Sequence, residues 1–203
     1  MDIKPIYENA VSFHDLFENN IVSEDDDNKS QEVHNLMTDP KNWIVNDYDG
    51  FVDSLNKSTR SGFLTHYTPE KLKELGATTY QLNGYNIGYA LIPTKEGEVD
   101  IVSVHNNEPD IHNVGDVMLK NAVKNGGTQL DHFDGKLSDF YSRNGFVEHD
   151  RLKWDDKYAP EDWDYEKYGR PDVIVRRNYQ AQVNEWVSKQ KSVTEMIEKF
   201  YQK

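Results

Sequence analysis

The sequence predicts an α/β domain in which a mixed, mostly antiparallel sheet is flanked by helices. Three observations lead there. Residues Thr78–Leu91 alternate around Asn83-Gly84, the strongest short-range signal for a hairpin. A second alternating stretch, Glu98-Val-Asp-Ile-Val-Ser-Val104, passes through His105–Ile111 into Gly115-Asp-Val-Met-Leu119, where the period changes from two to three and four. Asn125-Gly126-Gly127 then gives a C-terminal glycine stop, and another strand, Thr128–Phe133, follows it.

Before this body, residues 1–50 read as an acidic extension. Val11, Leu16 and Phe17 make a short amphipathic piece, and Ser23–Ser30 reads as a solvated polar loop. Val33, Leu36 and Met37 fit a helical turn broken at Asp39-Pro40, and Trp43, Ile44 and Val45 anchor the extension. The main domain is expected over 51–177. Phe51, Val52 and Leu55 fit one helix; Thr68-Pro69 through Leu75-Gly76 fits another, with a cap, proline at its first position and a glycine stop. Thr94–Gly97 turns the chain into the strand at 98–104, which completes a three-strand meander. After Phe133 come a short helix through Leu137 and Tyr141, a strand at 146–154, an acidic aromatic loop at 155–170 and a strand at 171–177. Val183, Trp186, Val187, Val193, Met196, Ile197, Phe200 and Tyr201 share one helical face, so 178–203 reads as an amphipathic C-terminal helix. That face either covers the chain's own body or docks a protein partner.

Bulk properties narrow the function. The chain has 203 residues, enough for one full core. Mean hydropathy is −0.87, low for a compact domain, but 12 Tyr, 8 Phe and 4 Trp supply large buried areas. No apolar run approaches the roughly 20 residues that cross a bilayer. Zero cysteines exclude disulfides and thiolate chemistry and suit a reducing compartment, so a soluble cytoplasmic protein is expected. Residues 1–50 carry 3 basic and 12 acidic side chains, residues 51–169 carry 13 and 20, and residues 170–203 carry 7 and 4. Such a surface repels a phosphate backbone, which argues against nucleic-acid binding. It suits cationic partners, and it also keeps a chain soluble.

Meander, helix, strand, helix, strand over residues 62–177, with a glycine-led helix start at Gly115 and Tyr141-Ser-Arg-Asn-Gly145-Phe146 after the strand that follows it, resembles the GNAT N-acetyltransferase family. The wording of 98–146 and of Tyr158–Asp172 is most similar to GNAT-like domains encoded by bacteriophages. The resemblance implies that the fourth and fifth strands run parallel and splay apart around an acyl-CoA. Acetyl-CoA would then be the acyl donor and a primary amine, on a protein or a small molecule, the acceptor. The family's pyrophosphate motif, Arg/Gln-x-x-Gly-x-Gly/Ala, falls on His112, Gly115 and Val117, so only the central glycine is kept. Backbone N–H groups of Asn113, Val114, Gly115, Asp116 and Val117 would hold the pyrophosphate, and the backbone of Val102 and Val104 the pantetheine arm. Val117 places a branched side chain where the backbone is to approach the ligand, and Asp110 and Asp116 add negative charge nearby.

The same resemblance makes Tyr141 the acid that protonates the departing thiolate; the plain alternative is a packing aromatic. Glu98 and Asp100 share a strand face and, with His105, are candidate bases for the amine, or else ordinary solvated residues. His132 and Asp134 have no second pair in register and give no metal site. The alternative to an enzyme is a catalytically silent GNAT-like phage protein that binds another protein, as a virion component or a host-directed effector.

Overall fold

The computed structural model describes residues 24–57, 67–135, 137–159, 163–180 and 183. The elements run α1 (Glu24–Thr38), β1 (Trp43–Val45), α2 (Tyr48–Asn56), α3 (Pro69–Glu74), β2 (Thr78–Leu82), β3 (Ile87–Pro93), β4 (Val99–Asn106), α4 (Gly115–Lys124), β5 (Gln129–Phe133), α5 (Leu137–Arg143), β6 (Phe146–Leu152), α6 (Tyr165–Tyr168) and β7 (Val173–Asn178). The strands form one seven-stranded sheet in the order β1-β2-β3-β4-β5-β7-β6. Every neighbouring pair is antiparallel except β4 and β5. The predicted class, a mixed and mostly antiparallel sheet with flanking helices, is the fold of the chain. Most of the C-terminal helix expected at 178–203 lies outside the described residues.

The solvated loop expected at Ser23–Ser30 is corrected over its described part: Glu24 onward is the start of α1. Tertiary contact explains it. Val33 and Met37 are buried, the Met37 carbonyl accepts from Asn121 Nδ2 of α4 at 2.8 Å and from Trp43 Nε1 at 3.0 Å, and Lys29 pairs with Asp110 at 2.9 Å. The expected hairpin forms, but β2 and β3 are joined by residues 83–86 rather than by Asn83-Gly84 alone.

Side chains sort cleanly by sheet face. One face carries the main core, in which Leu82, Ile87, Tyr89, Ile101 and Leu130 meet α1, α4 and α5. The other face carries two separate apolar clusters. Phe51, Leu55 and Leu72 of α2 and α3 cover Ala90, Ile92 and Val102. Farther along, Phe133 and Val173 are covered by Leu152, Trp154, Tyr158 and Trp163. Polar side chains separate these two clusters: Asp100 of β4, Gln129 and Asp131 of β5, and Arg177 of β7.

β4 is not regular. Gly88 pairs with His105 and Ala90 with Val102, so β4 holds one extra residue against β3. Ser103 carries φ 50°, the left-handed conformation that a non-glycine residue adopts only when its surroundings hold it. The holding groups are visible. His105 Nδ1 donates to the Ser103 carbonyl at 2.9 Å, so Nε2 is unprotonated and accepts from Ser54 Oγ of α2, also at 2.9 Å. Phe51 packs edge-on against the same imidazole. Gly88 is required opposite, because a Cβ there would lie 2.6 Å from the Tyr80 carbonyl oxygen and 3.0 Å from the His105 ring.

Candidate active site

The parallel pair β4–β5 meets only at its beginning. Asp100 registers with Gln129, and Thr128 N–H donates to the Val99 carbonyl at 2.9 Å just before it. Past Ile101 and Leu130 no ladder bond joins the two strands among the described residues, and they diverge. Gly127 allows the close approach at the joined end: a Cβ would lie 2.5 Å from Ile101 Cγ1. The crevice is thus closed at residues 127–129 and open toward His105 and Phe133.

α4 follows β4 and precedes β5 in the chain, and among the described residues no side chain caps its N-terminus. Asn113 is left-handed at φ 56° and Val114 right-handed at −89°, and Val114 gives no side-chain cap. Such a left–right pair turns successive N–H groups toward one point, and the helix dipole adds positive potential there. The amides of Gly115, Asp116 and Val117 belong to this first turn. The branched side chain of Val117 is 5% exposed and packs into the main core, so it points away from solvent at the helix entrance. Both nearby carboxylates have cationic or amide partners. Asp110 faces Lys29, and Asp116 accepts from Arg143 Nε and Asn144 Nδ2. His112 is tied through its backbone N–H to Ser30 Oγ at 2.8 Å and is partly exposed.

The residues expected at the joined end form one network. Thr128 Oγ1 donates to Glu98 Oε2 at 2.7 Å, and Arg177 NH1 pairs with Glu98 Oε1 at 3.3 Å. Arg177 Nε donates to Gln129 Oε1 at 3.0 Å, and Gln129 Nε2 donates to Asp100 Oδ1 at 2.7 Å. Burial nevertheless pushes the Asp100 carboxyl up to about 6, with Glu96 and Glu98 adding to the rise. Val102 and Val104 border the opening, but the extra residue in β4 sends their side chains to opposite faces, Val102 toward α2 and Val104 toward α4. His105, tied to Ser103 and Ser54, is fully enclosed and held near 4 by burial, so it stays neutral and structural.

Tyr141 lies on α5, beneath β5 on the main-core face, and is 1% exposed. Its ring sits 4.8 Å from that of His132 and packs on Phe140 and Phe146. Burial and the nearby Asp131 push its phenol well above the ordinary tyrosine range, so it keeps its proton. His132 Nδ1 donates to the Phe133 carbonyl at 2.7 Å and Nε2 accepts from Arg176 Nε at 2.8 Å. Burial holds this imidazole, too, near 4. Among the described residues no group of three His, Cys, Asp or Glu is arranged to hold a metal ion, and no helix is long and apolar enough to cross a membrane.

No protein-family model matches the sequence, and no curated protein matches it. Solved structures with a related course of the chain are acetyltransferases. The Bacillus subtilis acetyltransferase in complex with CoA is 16% identical at TM-score 0.44, over 64% of this chain and 91% of that one. N-acetylglutamate synthase from Neisseria gonorrhoeae, complexed with coenzyme A and L-arginine, is 17% identical at TM-score 0.41; the match covers 68% of this chain but only 34% of the synthase. A GNAT family acetyltransferase from Elizabethkingia anophelis with acetyl-CoA bound is 20% identical at TM-score 0.38, over 54% and 81% of the two chains. The fold reading stands on this chain's own strand order and on the parting of β4 from β5.

One acidic side chain at the crevice escaped the sequence reading. Asp131 follows Gln129 on the same face of β5 and looks, in sequence, like any solvated strand residue. Its alternation with Gln129 and Phe133 was the available signal. Burial and the charge of Asp100 push its carboxyl well above the ordinary range.

Proposed function

We propose that the protein is an N-acetyltransferase of GNAT type that moves an acetyl group from acetyl-CoA to a primary amine. The observation that carries this reading is the divergence of β4 from β5 in front of the uncapped first turn of α4. That turn suits a diphosphate, because free N–H donors and a helix dipole converge on it and because the acids beside it are already paired. Acetyl-CoA, when bound, supplies an activated acyl carbon. The chain holds its pyrophosphate with the amides of Asn113–Val117, helped by His112, and its pantetheine arm with the backbone of Val102 and Val104.

Tyr141 is proposed to give the proton that the sulfur takes as the C–S bond breaks; its high pKa keeps the phenol protonated for that step. Glu98 is less suited to be a base than the sequence suggested, since Arg177 and Thr128 already occupy its two carboxylate oxygens. Of these two carboxylates, Asp100 retains the better case.

Titration calorimetry with acetyl-CoA tests the reading. Saturable heat at one site supports it, and no heat or thermal shift at millimolar ligand removes it. The burial of Tyr141 favours a second reading, a silent GNAT-like relative of phage origin that binds a protein. That reading predicts the null calorimetric result together with a partner lost when residues 178–203 are removed.

A further inference from the structure

We propose that Asp131 is the group that takes the proton from the acceptor, and that the acceptor is an aliphatic ammonium whose carbon chain lies toward Phe133; this rests on the acetyl-transfer reading above. Three carboxylates border the joined end of the crevice, and they differ in what already holds them. Glu98 is bound by Arg177 and Thr128, and Asp100 accepts from Gln129. Asp131 accepts only from its own backbone N–H among the described residues. Among the described residues it is therefore the least engaged of the three.

Position agrees. Gln129, Asp131 and Phe133 alternate along one face of β5, the face that Asp100 shares across the strand parting. Toward the joined end stands Asp100. Toward the open end stands Phe133, with Trp163 at 4.8 Å and Trp154 at 5.6 Å between ring centroids. A chain of methylenes bearing an ammonium matches that gradient: carboxylates at one end, the border of the aromatic cluster that covers Phe133 at the other. Directly opposite on β7 is Val175, which neither neutralises Asp131 nor hydrogen-bonds it. The titratable groups that act on it directly are Asp100 on β4 and Tyr141 from the core face; Glu98 and Arg177 act on Asp100 in turn. Burial and Asp100 raise the affinity of its carboxylate for a proton, which suits a group that takes one from the ammonium.

The step balances as follows. Asp131 takes one proton from the ammonium, and the freed nitrogen lone pair forms the C–N bond at the thioester carbonyl. The C–S electron pair leaves on sulfur, which takes a proton from the Tyr141 phenol. The nitrogen then gives its second proton to restore the phenol, and Asp131 releases the first to solvent.

The test is the pH dependence of kcat/KM for acetyl transfer to 1,5-diaminopentane and to an Nα-blocked lysine amide. Wild type, Asp131→Asn, Asp131→Glu and Asp100→Asn are compared, with acetyl-CoA affinity measured by calorimetry on each. Asp131→Asn is expected to lose turnover on the order of 10²-fold, together with the acid limb of the profile, at unchanged acetyl-CoA affinity. Asp131→Glu restores part of the turnover, and Asp100→Asn moves the acid limb to lower pH. The acid limb and turnover of Asp131→Asn matching wild type would overturn the assignment while leaving acetyl transfer intact. Transfer to neither amine by a wild type that binds acetyl-CoA overturns the alkylammonium acceptor. Failure of wild type to bind acetyl-CoA overturns the reading beneath it. If Asp131→Asn does not fold, an unmoved limb in Asp100→Asn, with no loss in Asp131→Glu, overturns the proposal.

Discussion

Replacing Gly127 by alanine tests how tightly β4 and β5 are joined at the closed end of the crevice. A Cβ at this position lies 2.5 Å from Ile101 Cγ1, 2.8 Å from Cδ1 and 3.0 Å from the Ala122 carbonyl oxygen. Ile101 is buried in the main core and has no open space to turn into. Overpacking of this kind costs about 1–3 kcal/mol, and contact with both outer carbons of one side chain argues for the upper half. The backbone at 127 is not left-handed, so alanine also returns about 0.4–1 kcal/mol by restricting the unfolded chain. The net loss is expected at about 1–2 kcal/mol, read as a lower urea midpoint with an unchanged slope. The deciding measurement is the same substitution in an Ile101→Ala background. There the clash is gone, and Gly127→Ala should become neutral or slightly stabilising, a coupling of about 1–3 kcal/mol. An equal cost in both backgrounds would refute the geometry of this junction and, with it, the placement of Asp100 against Gln129.

Three further outcomes follow from the same structure. Tyr141→Phe removes only a hydroxyl and should lower kcat by on the order of 10²-fold with acetyl-CoA affinity unchanged; unchanged kcat would return Tyr141 to a packing role. His105 titrates near 4 in the folded chain, below its ordinary 6.5, so the unfolded chain binds the extra proton between those values. Stability should therefore fall as pH drops from about 6.5 toward 4, by about 3 kcal/mol from this residue, and His105→Gln should flatten that part of the curve measured by denaturation at each pH. Arg177→Gln leaves the Glu98 carboxylate half-buried beside Thr128 without its cation, and a loss of about 1–3 kcal/mol is expected by urea denaturation; a loss under about 0.5 kcal/mol would show the ion pair to be ornamental.

Local patterns carried much of the fold. The period change at Gly115 and the Asn125-Gly126-Gly127 stop place α4 at the bounds the sequence implies, and alternation around Asn83-Gly84 and through 98–104 reads directly as the meander. Where the outcome depends on distant partners, the sequence is silent. Acidic residues 24–30 look like a solvated loop because the reasons for a helix are Asp110 and the rest of α1's packing on α4, more than eighty residues away. No glycine marks the extra residue in β4; its left-handed Ser103 is held by an imidazole two positions on and a serine from another helix. The site divides the same way. Gly115 and Tyr141 stood out through local motifs, whereas the binding of Glu98 by Arg177 and the placing of Asp131 opposite Val175 exist only once β7 lies beside β5.

That late strand has a consequence for biosynthesis. β7 is wedged between β5 and β6, and β6 has no other sheet partner among the described residues. While a ribosome still holds residues 173–178, β5 has a bare side and β6 has no ladder at all, so the half of the sheet that bears Asp131 and the aromatic cluster must wait for nearly the whole chain to emerge. A nascent chain stalled before residue 173 should expose that half to proteases and chaperones while the Asn83-Gly84 meander is already closed.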